Sequence, residues 1–235
     1  MIWLGIDTAN TPLSIALVRD GVLLAEYTSS LALNHSLRAM KAIEELFEKV
    51  DLPPSAIDAI AVSEGPGSYT GVRIGVTIAK TLAWTLGKPL VGVSSLRILA
   101  ANAILYDGLI CPLVDARRQH VYSAVYETAG THLRVLQLDG HYAIEELLKS
   151  IKAMGRPVLF VGLDVAMYEE EILSQIGELA SFAPLQFQLP RASSLIYLAQ
   201  QEEFENDLHA FVPEYRRIAE AEANWLAQQK KESGQ

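Results

Sequence analysis

Residues 2–27, IWLGIDTANTPLSIALVRDGVLLAEY, decide the fold class. Apolar, strand-like runs span Ile2–Ile6, Leu13–Val18 and Val22–Tyr27. Turn-forming residues separate the first two runs, and Arg19-Asp20-Gly21 is a hairpin signal between the second and the third. The chain therefore opens with an antiparallel meander of three strands, which is unlike the strand-helix-strand opening of a Rossmann unit.

Helices and strands alternate after this meander. The predicted elements are helix Asn34–Val50 with Asn34 or Ser36 as its N-cap, strand Ile57–Ser63, a helix from the glycine-rich bend at 64–71 to near Leu86, strand Pro89–Val93, and a helix from Ser94 or Ser95 to about Tyr106. This βββαβαβα order is that of one actin-like or sugar-kinase-like lobe, so we predict a first lobe at residues 1–106.

The second half restarts as a shorter copy of the same plan. It contains predicted strands at 109–115, 120–127 and 158–161, and predicted helices Ala143–Lys152, Val165–Gly177 and Ala192–Asn206. We place the lobe boundary near Asp107-Gly108, with a reduced second lobe at 107–210 whose helix near 192–206 is a candidate to pack back on the first lobe. Residues 211–235 are predicted to be a mobile tail, including a polar helix at 216–231.

Composition narrows the class of function. The 235 residues carry a net charge of −9, which argues against direct nucleic-acid binding because phosphate contacts need a basic face. Cys111 is the single cysteine, so no internal disulfide can form, and the N-terminus lacks the basic region of a signal peptide. No apolar run approaches the ~20 residues of a membrane helix. We therefore expect a cytoplasmic protein, with no membrane association and only an indirect link to any RNA.

The helix from Val72 to Leu86 has an unusually wide apolar face. Its polar residues fall within about a third of the helix circumference, and these are Arg73, Thr77, Lys80 and Thr81. Covering a sheet needs roughly one apolar stripe, so the remaining surface indicates contact with the neighbouring helix or with another protein. The alternative is that apolar residues such as Val76 simply fill the core of the lobe.

Two segments of the first lobe are candidates for contacting a nucleotide or phosphate. Asp7 and Thr8 lie on the first turn, where kinases of this fold place a carboxylate near magnesium, and Gly65, Gly67 and Ser68 lie on the glycine-rich bend. The bend lacks the lysine of a P-loop and does not fit the dinucleotide-binding pattern. The alternatives are a structural strand-to-helix turn for the bend and a turn-capping role for the aspartate.

Several motifs together resemble one family. They are Gly5-Ile6-Asp7-Thr8, Asn34-His35-Ser36, the run from Gly65 to Gly75 (GPGSYTGVRIG), Val93-Ser94-Ser95-Leu96 and Asp115-Ala116-Arg117-Arg118. In this order they resemble the TsaB family, formerly called YeaZ. The match is thin beyond Tyr126, where it is limited to Val161-Gly162, Asp164 and Pro213-Glu214-Tyr215-Arg216-Arg217. Arg216 stands where the family usually has leucine.

This resemblance implies an actin-like/sugar-kinase-like (ribonuclease H-like) two-lobed fold, in which a mixed sheet is flanked by helices. It also implies a non-catalytic scaffold that pairs with the catalytic paralogue TsaD, engages the ATPase TsaE in that complex, and forms a homodimer when alone. The assembly installs threonylcarbamoyl on adenosine 37 of tRNA. ATP or ADP is expected only at the interface of the complex. The alternative is a small nucleotide-dependent transferase or metallohydrolase of the same fold.

We expect the chain to lack catalytic activity because groups that the catalytic paralogue uses are missing from its sequence. The paralogue's two metal-binding histidines, one helical turn apart, correspond to Ser95 and Leu99, and this chain has no Gly-Gly pair to lie against adenosine. We therefore expect no metal and no intrinsic cofactor. The expected partner-binding residues are His35, Leu37, Met40, Lys41, Ile43, Glu44, Arg73, Val76, Thr77 and Lys80. Arg117 and Arg118 could hold an anion or form a salt bridge within the lobe.

Overall fold

The first half of the chain forms a five-stranded mixed sheet with the strand order β3-β2-β1-β4-β5. The structure is a computed structural model that describes residues 1–31, 35–205 and 207–214. Its first-half elements are β1 Ile2–Asp7, β2 Leu13–Arg19, β3 Val22–Ser29, α1 His35–Lys49, β4 Ala59–Gly65, α2 Tyr69–Leu86, β5 Leu90–Ser94 and α3 Ser95–Ala101. β1, β2 and β3 pair antiparallel, and β4 and β5 continue the sheet in parallel with β1. The predicted meander is confirmed.

A second five-stranded sheet repeats this plan. Its elements are β6 Leu109–Asp115, β7 His120–Ala129, β8 His132–Ala143, α4 Ile144–Met154, β9 Val158–Val161, α5 Glu169–Ile176, β10 Ala180–Phe182 and, after it, α6 Ala192–Ala199. The strand order β8-β7-β6-β9-β10 is that of the first sheet. β6 therefore corresponds to β1, and Asp115 at the end of β6 occupies the position that Asp7 has at the end of β1. The two-lobed fold class is confirmed.

Three apolar cores hold the sheets and helices together. One lies between the first sheet and α1 and α2, and another between the second sheet and α4 and α5. The central core contains residues of both sheets together with α3 and α6, for example Trp3, Leu99, Tyr126 and Leu195. α6 packs against β1 and β2 of the first sheet. Within residues 1–31, 35–205 and 207–214, no helix has both the length and the apolar character of a membrane span.

The second half departs from the predicted elements. β8 and β10 were not predicted, because β8 is a partly exposed edge strand whose apolar-polar alternation is interrupted at Val135-Leu136, and β10 has only three residues. The predicted helix 165–177 is divided into the 3-10 helix Leu163–Tyr168 and α5. The predicted helix 192–206 ends at Ala199, because the chain turns there and the Glu205 N–H then donates to the Leu90 carbonyl of β5 (2.9 Å).

Two further boundaries are corrected. α3 ends at Ala101 rather than near Tyr106, and the Asn102 side chain then donates to the carbonyl oxygens of Phe187 (3.2 Å) and Leu189 (2.6 Å). The predicted mobile tail begins too early, because Phe211 is buried in the core of the first lobe. The predicted N-cap Asn34 and the predicted helix 216–231 lie outside the described residues, and the lobe boundary near Asp107-Gly108 stays a prediction.

Glu26 of β3 fastens α6 to the first sheet. Its carboxylate accepts hydrogen bonds from Arg191 Nε (3.0 Å) and Nη2 (2.5 Å), from the Ser193 backbone N–H (2.9 Å) and from the Ser193 hydroxyl (2.6 Å). The Glu26 side chain is only 8% exposed. It therefore supplies a charged acceptor to the first turn of α6, where backbone N–H groups lack partners within the helix.

We expect Glu26→Ala to lower the free energy of unfolding by about 2 kcal/mol. Each hydrogen bond to a charged group is worth about 1.5–3 kcal/mol, but water replaces part of the lost contact at the exposed Arg191 side chain. Urea unfolding followed by circular dichroism would measure the loss. The exposed Glu203→Ala is the matched control, with an expected change within about 0.5 kcal/mol. Equal stabilities of the two variants would contradict the fastening role.

Candidate functional site

Asp7 ends β1 at the carboxyl edge of the first sheet and is fully buried. Its Oδ1 accepts a hydrogen bond from the Ala9 backbone N–H at 3.0 Å, whereas Oδ2 has no partner within ordinary hydrogen-bond geometry among residues 1–31, 35–205 and 207–214. Burial raises the pKa of Asp7 to about 6, against the opposite effects of the Ala9 N–H and the nearby Ser63 hydroxyl. A magnesium ion could reach this carboxylate only if the turn around it opened.

The glycine-rich bend packs directly on the turn that follows Asp7. The Ser68 backbone N–H donates to the Ala9 carbonyl (2.7 Å), and the Thr8 hydroxyl donates to the Gly71 carbonyl (2.7 Å). A Cβ at Gly67 would lie 2.2 Å from the Ala9 carbonyl oxygen, and one at Gly71 would lie 2.3 Å from that of Thr8. The glycines therefore allow two backbone segments to pack in direct contact.

The five residues predicted to contact a nucleotide or phosphate thus lie close together, but they differ in solvent exposure. Asp7, Thr8 and Gly65 are buried, Gly67 is partly buried, and Ser68 is exposed. Ser68 also caps α2, because its Oγ accepts from the Gly71 N–H at 3.3 Å. The close packing supports the structural alternative for the bend, and contact of these five residues with a nucleotide or phosphate stays a prediction.

The positions that correspond to the paralogue's metal ligands belong to the core. The Ser95 hydroxyl donates to the Pro66 carbonyl, and Leu99 is buried between the two sheets. In the part of the chain that the structure describes, no three His, Cys, Asp or Glu side chains are grouped to hold a metal ion. Cys111 is also buried beside Ser123, and burial raises the pKa of its thiol to about 12. A thiol with so high a pKa is a poor nucleophile.

The loop between β6 and β7 presents the two arginines. Arg117, Arg118 and Gln119 are exposed and have φ values of 67°, 55° and 58°, which non-glycine residues rarely adopt. The Asp115 carboxylate holds this loop by accepting from the Arg117 N–H (3.0 Å) and from the Tyr168 hydroxyl (2.6 Å). The two roles predicted for these arginines, contact with an anion and a salt bridge within the lobe, stay predictions.

Two open grooves lie along α1 and α2, and we call the face that contains them the α1–α2 surface. A groove of about 950 Å³ runs between the C-terminal halves of the two helices, and a second one of about 400 Å³ lies near their N-termini. Met40 lines both grooves. The exposed side chains of the α1–α2 surface include Leu37 (73%), Met40 (46%) and Tyr69 (55%), and Ile74 and Ile78 line the smaller groove.

Six of the ten predicted partner-binding residues are exposed on or beside this surface. They are Leu37, Met40, Lys41, Glu44, Arg73 and Thr77. Ile43 and Val76 are only 4% and 3% exposed and belong to the core of the lobe, although Ile43 also lines the larger groove, and their partner contact stays a prediction. Lys80 is bonded to carbonyl oxygens of residues 209 and 211, and His35 Nε2 lies 2.9 Å from the Asn10 carbonyl oxygen.

Sequence reasoning missed three residues of the surface. Tyr69 begins α2 and contacts Arg73, whose Nη1 donates to the Tyr69 hydroxyl at 2.8 Å. Ile74 and Ile78 share one side of α2 because they are four residues apart. Their spacing could have identified them, since they lie on the apolar side that was too wide for sheet packing alone.

The chain is a two-lobed protein of the actin-like and sugar-kinase-like class. This class is defined here by two sheets with the same strand order, by helices on both sides of them and by a carboxylate at the end of the first strand. The inorganic polyphosphate/ATP-glucomannokinase of Arthrobacter sp. strain KM shares this fold, with a TM-score of 0.51 and 14% identity over 86% of this chain and 99% of that chain. A similarity at this identity concerns the fold alone.

Closer similarities identify the family. The family model described as TsaD, tRNA N6-adenosine threonylcarbamoyltransferase, matches residues 23–225. The tRNA threonylcarbamoyladenosine biosynthesis protein TsaB of Bacillus subtilis is 44% identical over 98% of this chain and 100% of its own length. TsaB of Escherichia coli is 36% identical over 53% of this chain and 54% of its own. A Pseudomonas aeruginosa structure, described as similar to peptidase YEAZ, has a TM-score of 0.79 and 26% identity over 92% of this chain and 99% of its own. The chain belongs to the TsaB family.

Proposed function

We propose that this chain is the non-catalytic scaffold subunit of the assembly that forms N6-threonylcarbamoyladenosine at position 37 of tRNA. In this role it docks the catalytic subunit TsaD on the α1–α2 surface and engages TsaE in the resulting complex. The observation that carries the proposal is the α1–α2 surface, where exposed apolar side chains line two grooves. The proposal is also supported by the names of the relatives, which describe them as tRNA threonylcarbamoyladenosine biosynthesis proteins.

The chemistry of the α1–α2 surface suits a protein partner. Leu37, Met40, Tyr69 and the two isoleucines are apolar, and contiguous exposed apolar patches usually mark interaction sites. Charged residues border the grooves, with Lys41, Glu44, Glu48 and Asp51 around the larger one and Arg73 beside the smaller one. An apolar centre with a polar rim is the usual arrangement of a protein interface.

The similarity to the TsaD family model favours a related partner. A related subunit has the same element order, so it carries two helices equivalent to α1 and α2. Two adjacent helices from each subunit can pack as a four-helix bundle, in which apolar side chains of both pairs are buried together. In the absence of TsaD, a second copy of this chain offers the same pair of helices, which accounts for the homodimer that we propose for the isolated protein.

The interior of the first lobe supports a role without chemistry of its own. Asp7 is closed off by its own turn, and the bend at Gly67 and Gly71 is packed against backbone. We therefore propose that the chain has no intrinsic cofactor and that ATP or ADP binds only where it meets TsaD. With a net charge of −9, its contact with tRNA is indirect, and the place of this modification is the cytoplasm.

We expect Met40→Asp to weaken the binding of purified TsaD by about 30-fold or more. A charge at a central apolar contact has to be desolvated, and the loss of such a contact costs about 2 kcal/mol or more. The measurement is calorimetric or surface-binding titration, followed by a tRNA modification assay with TsaD and TsaE. Met167→Asp is the matched control, because this methionine is 68% exposed and lies in the second lobe.

A titration of the isolated chain with Mg-ATP tests the alternative function. The feature that favours a nucleotide-dependent transferase is Asp7 Oδ2, which has no hydrogen-bond partner among the described residues. Tight binding and turnover of Mg-ATP by the isolated chain would support that enzyme and contradict the scaffold. Unchanged TsaD binding and unchanged tRNA modification by Met40→Asp would show that the α1–α2 surface is not the docking site.

A further inference from the structure

Residues 207–214 return from the second half of the chain and pack along the first lobe, and we call this segment the strap. The Phe211 side chain is buried in the core between the first sheet and the helices α1 and α2. Within the strap, the Asp207 carboxylate accepts from the His209 N–H (2.8 Å), and the Phe211 N–H donates to the Asp207 carbonyl (3.1 Å). The strap is thus a turn with an apolar anchor.

Lys80 of α2 ties the strap to the α1–α2 surface. Its ammonium group donates to the carbonyl oxygens of His209 at 3.2 Å and Phe211 at 2.6 Å. Lys80 lies three residues after Thr77 on α2, so it is a neighbour of a residue that lines the smaller groove. The helix that presents the surface therefore also holds the strap.

Two glycines leave room for the strap at the carboxyl edge of the sheet. A Cβ at Gly65 would lie 2.6 Å from the Glu214 carbonyl oxygen, and one at Gly92 would lie 2.7 Å from the Phe211 ring. The Glu214 N–H donates to the Glu64 carbonyl at 2.7 Å. The strap therefore starts beside α2 and ends on β4, directly before the glycine-rich bend.

We propose that the partner surface extends from α2 onto the strap, and that Lys80 couples partner docking to the position of the strap. This inference rests on the proposed docking of TsaD. Val212 is 65% exposed between two anchored residues, and so adds an apolar contact next to the α2 side of the surface. A partner that contacts both α2 and the strap binds more tightly when the strap is held, and by reciprocity its binding protects the strap.

The test is Lys80→Met, which keeps the aliphatic stem of the side chain and removes the ammonium group. We expect amide hydrogen exchange at His209, Ala210 and Phe211 to become about tenfold faster, because a hydrogen bond from a charged donor is lost at each anchored carbonyl. TsaD affinity should fall about fivefold, the low end of ordinary coupling. Lys88→Met, at the lysine that follows α2, is the charge-matched control and should change neither quantity.

Phe211→Ala is a second variant that releases the strap from its other anchor. It should reproduce the faster exchange and the weaker binding. Exchange rates in Lys80→Met equal to those of the unaltered protein would overturn the tie between Lys80 and the strap. Faster exchange with unchanged TsaD affinity would overturn the coupling. If Met40→Asp also binds TsaD normally, the docking proposal itself fails, whereas the exchange measurement still decides the Lys80 tie.

Discussion

Gly67→Ala is expected to lower the free energy of unfolding by about 3 kcal/mol or more, the largest loss that we predict for a single methyl group. The added Cβ would lie 2.2 Å from the Ala9 carbonyl oxygen and 2.9 Å from Asn10 Oδ1. Relief of this overlap has to separate the bend from the Asp7 turn, which also breaks the hydrogen bond from the Ser68 N–H to Ala9 (2.7 Å). Overpacking and a lost backbone hydrogen bond together account for this magnitude.

Thermal unfolding would show the loss as a drop in Tm of about 6–12 °C for a chain of this size. Gly130→Ala is the matched control. Gly130 has a φ of 68° but no neighbour within 4 Å of an added Cβ, so the expected cost is only about 1 kcal/mol of backbone strain. Equal effects of the two substitutions would mean that the bend is open, as a phosphate cradle requires, and would contradict its structural role.

Asp7→Asn is expected to stabilise the protein by about 3 kcal/mol at neutral pH and to lose this advantage in acid. Burial raises the pKa of Asp7 from 3.8 to about 6. A carboxyl group with a higher pKa in the folded state binds its proton more tightly when folded, so folding stability falls as the pH rises from about 4 to about 6. Above that range the full cost of the buried charge is present, and the difference between the two pKa values corresponds to about 3 kcal/mol.

Asparagine removes this charge and keeps an oxygen that can accept from the Ala9 N–H. Urea unfolding of both proteins at several pH values between about 4 and 8 would measure the difference between them. The exposed Asp107→Asn is the control and should show no advantage that grows over this range. A variant that is less stable than the unaltered protein at pH 7, or a difference independent of pH, would show that the charge of Asp7 is not a cost to folding.

The predictable part of the fold rested on local signals. The period of the apolar residues, the hairpin signal at Asp20-Gly21 and the glycine-rich bend were enough for the order of elements in the first half. α2 was predicted to end near Leu86 and does so, because Gly87 adopts the left-handed conformation that closes a helix. The second half was harder, since β8 lies at the edge of its sheet and its alternation of apolar and polar residues is interrupted by the adjacent Val135 and Leu136.

The candidate site shows the same division. The sequence of α2 shows that the helix is too apolar to pack on one sheet alone. It does not show which face of the helix stays exposed in the folded protein. Ile43 and Val76 were expected at the partner surface and are almost fully buried, because the crossing of α1 and α2 over the sheet selects which apolar stripe is buried; Ile43 also lines the larger groove.

Periodicity and turn chemistry act over a few residues. They were sufficient to predict the class of fold, the bend before α2 and the unusually wide apolar face of α2. Contacts between distant segments required the folded chain. Lys80 bonds to a carbonyl 129 residues away, and Gly67 is a glycine because the Ala9 carbonyl approaches it from another turn. Neither contact produces a periodic pattern in the sequence, since each depends on how the sheet brings two distant segments together.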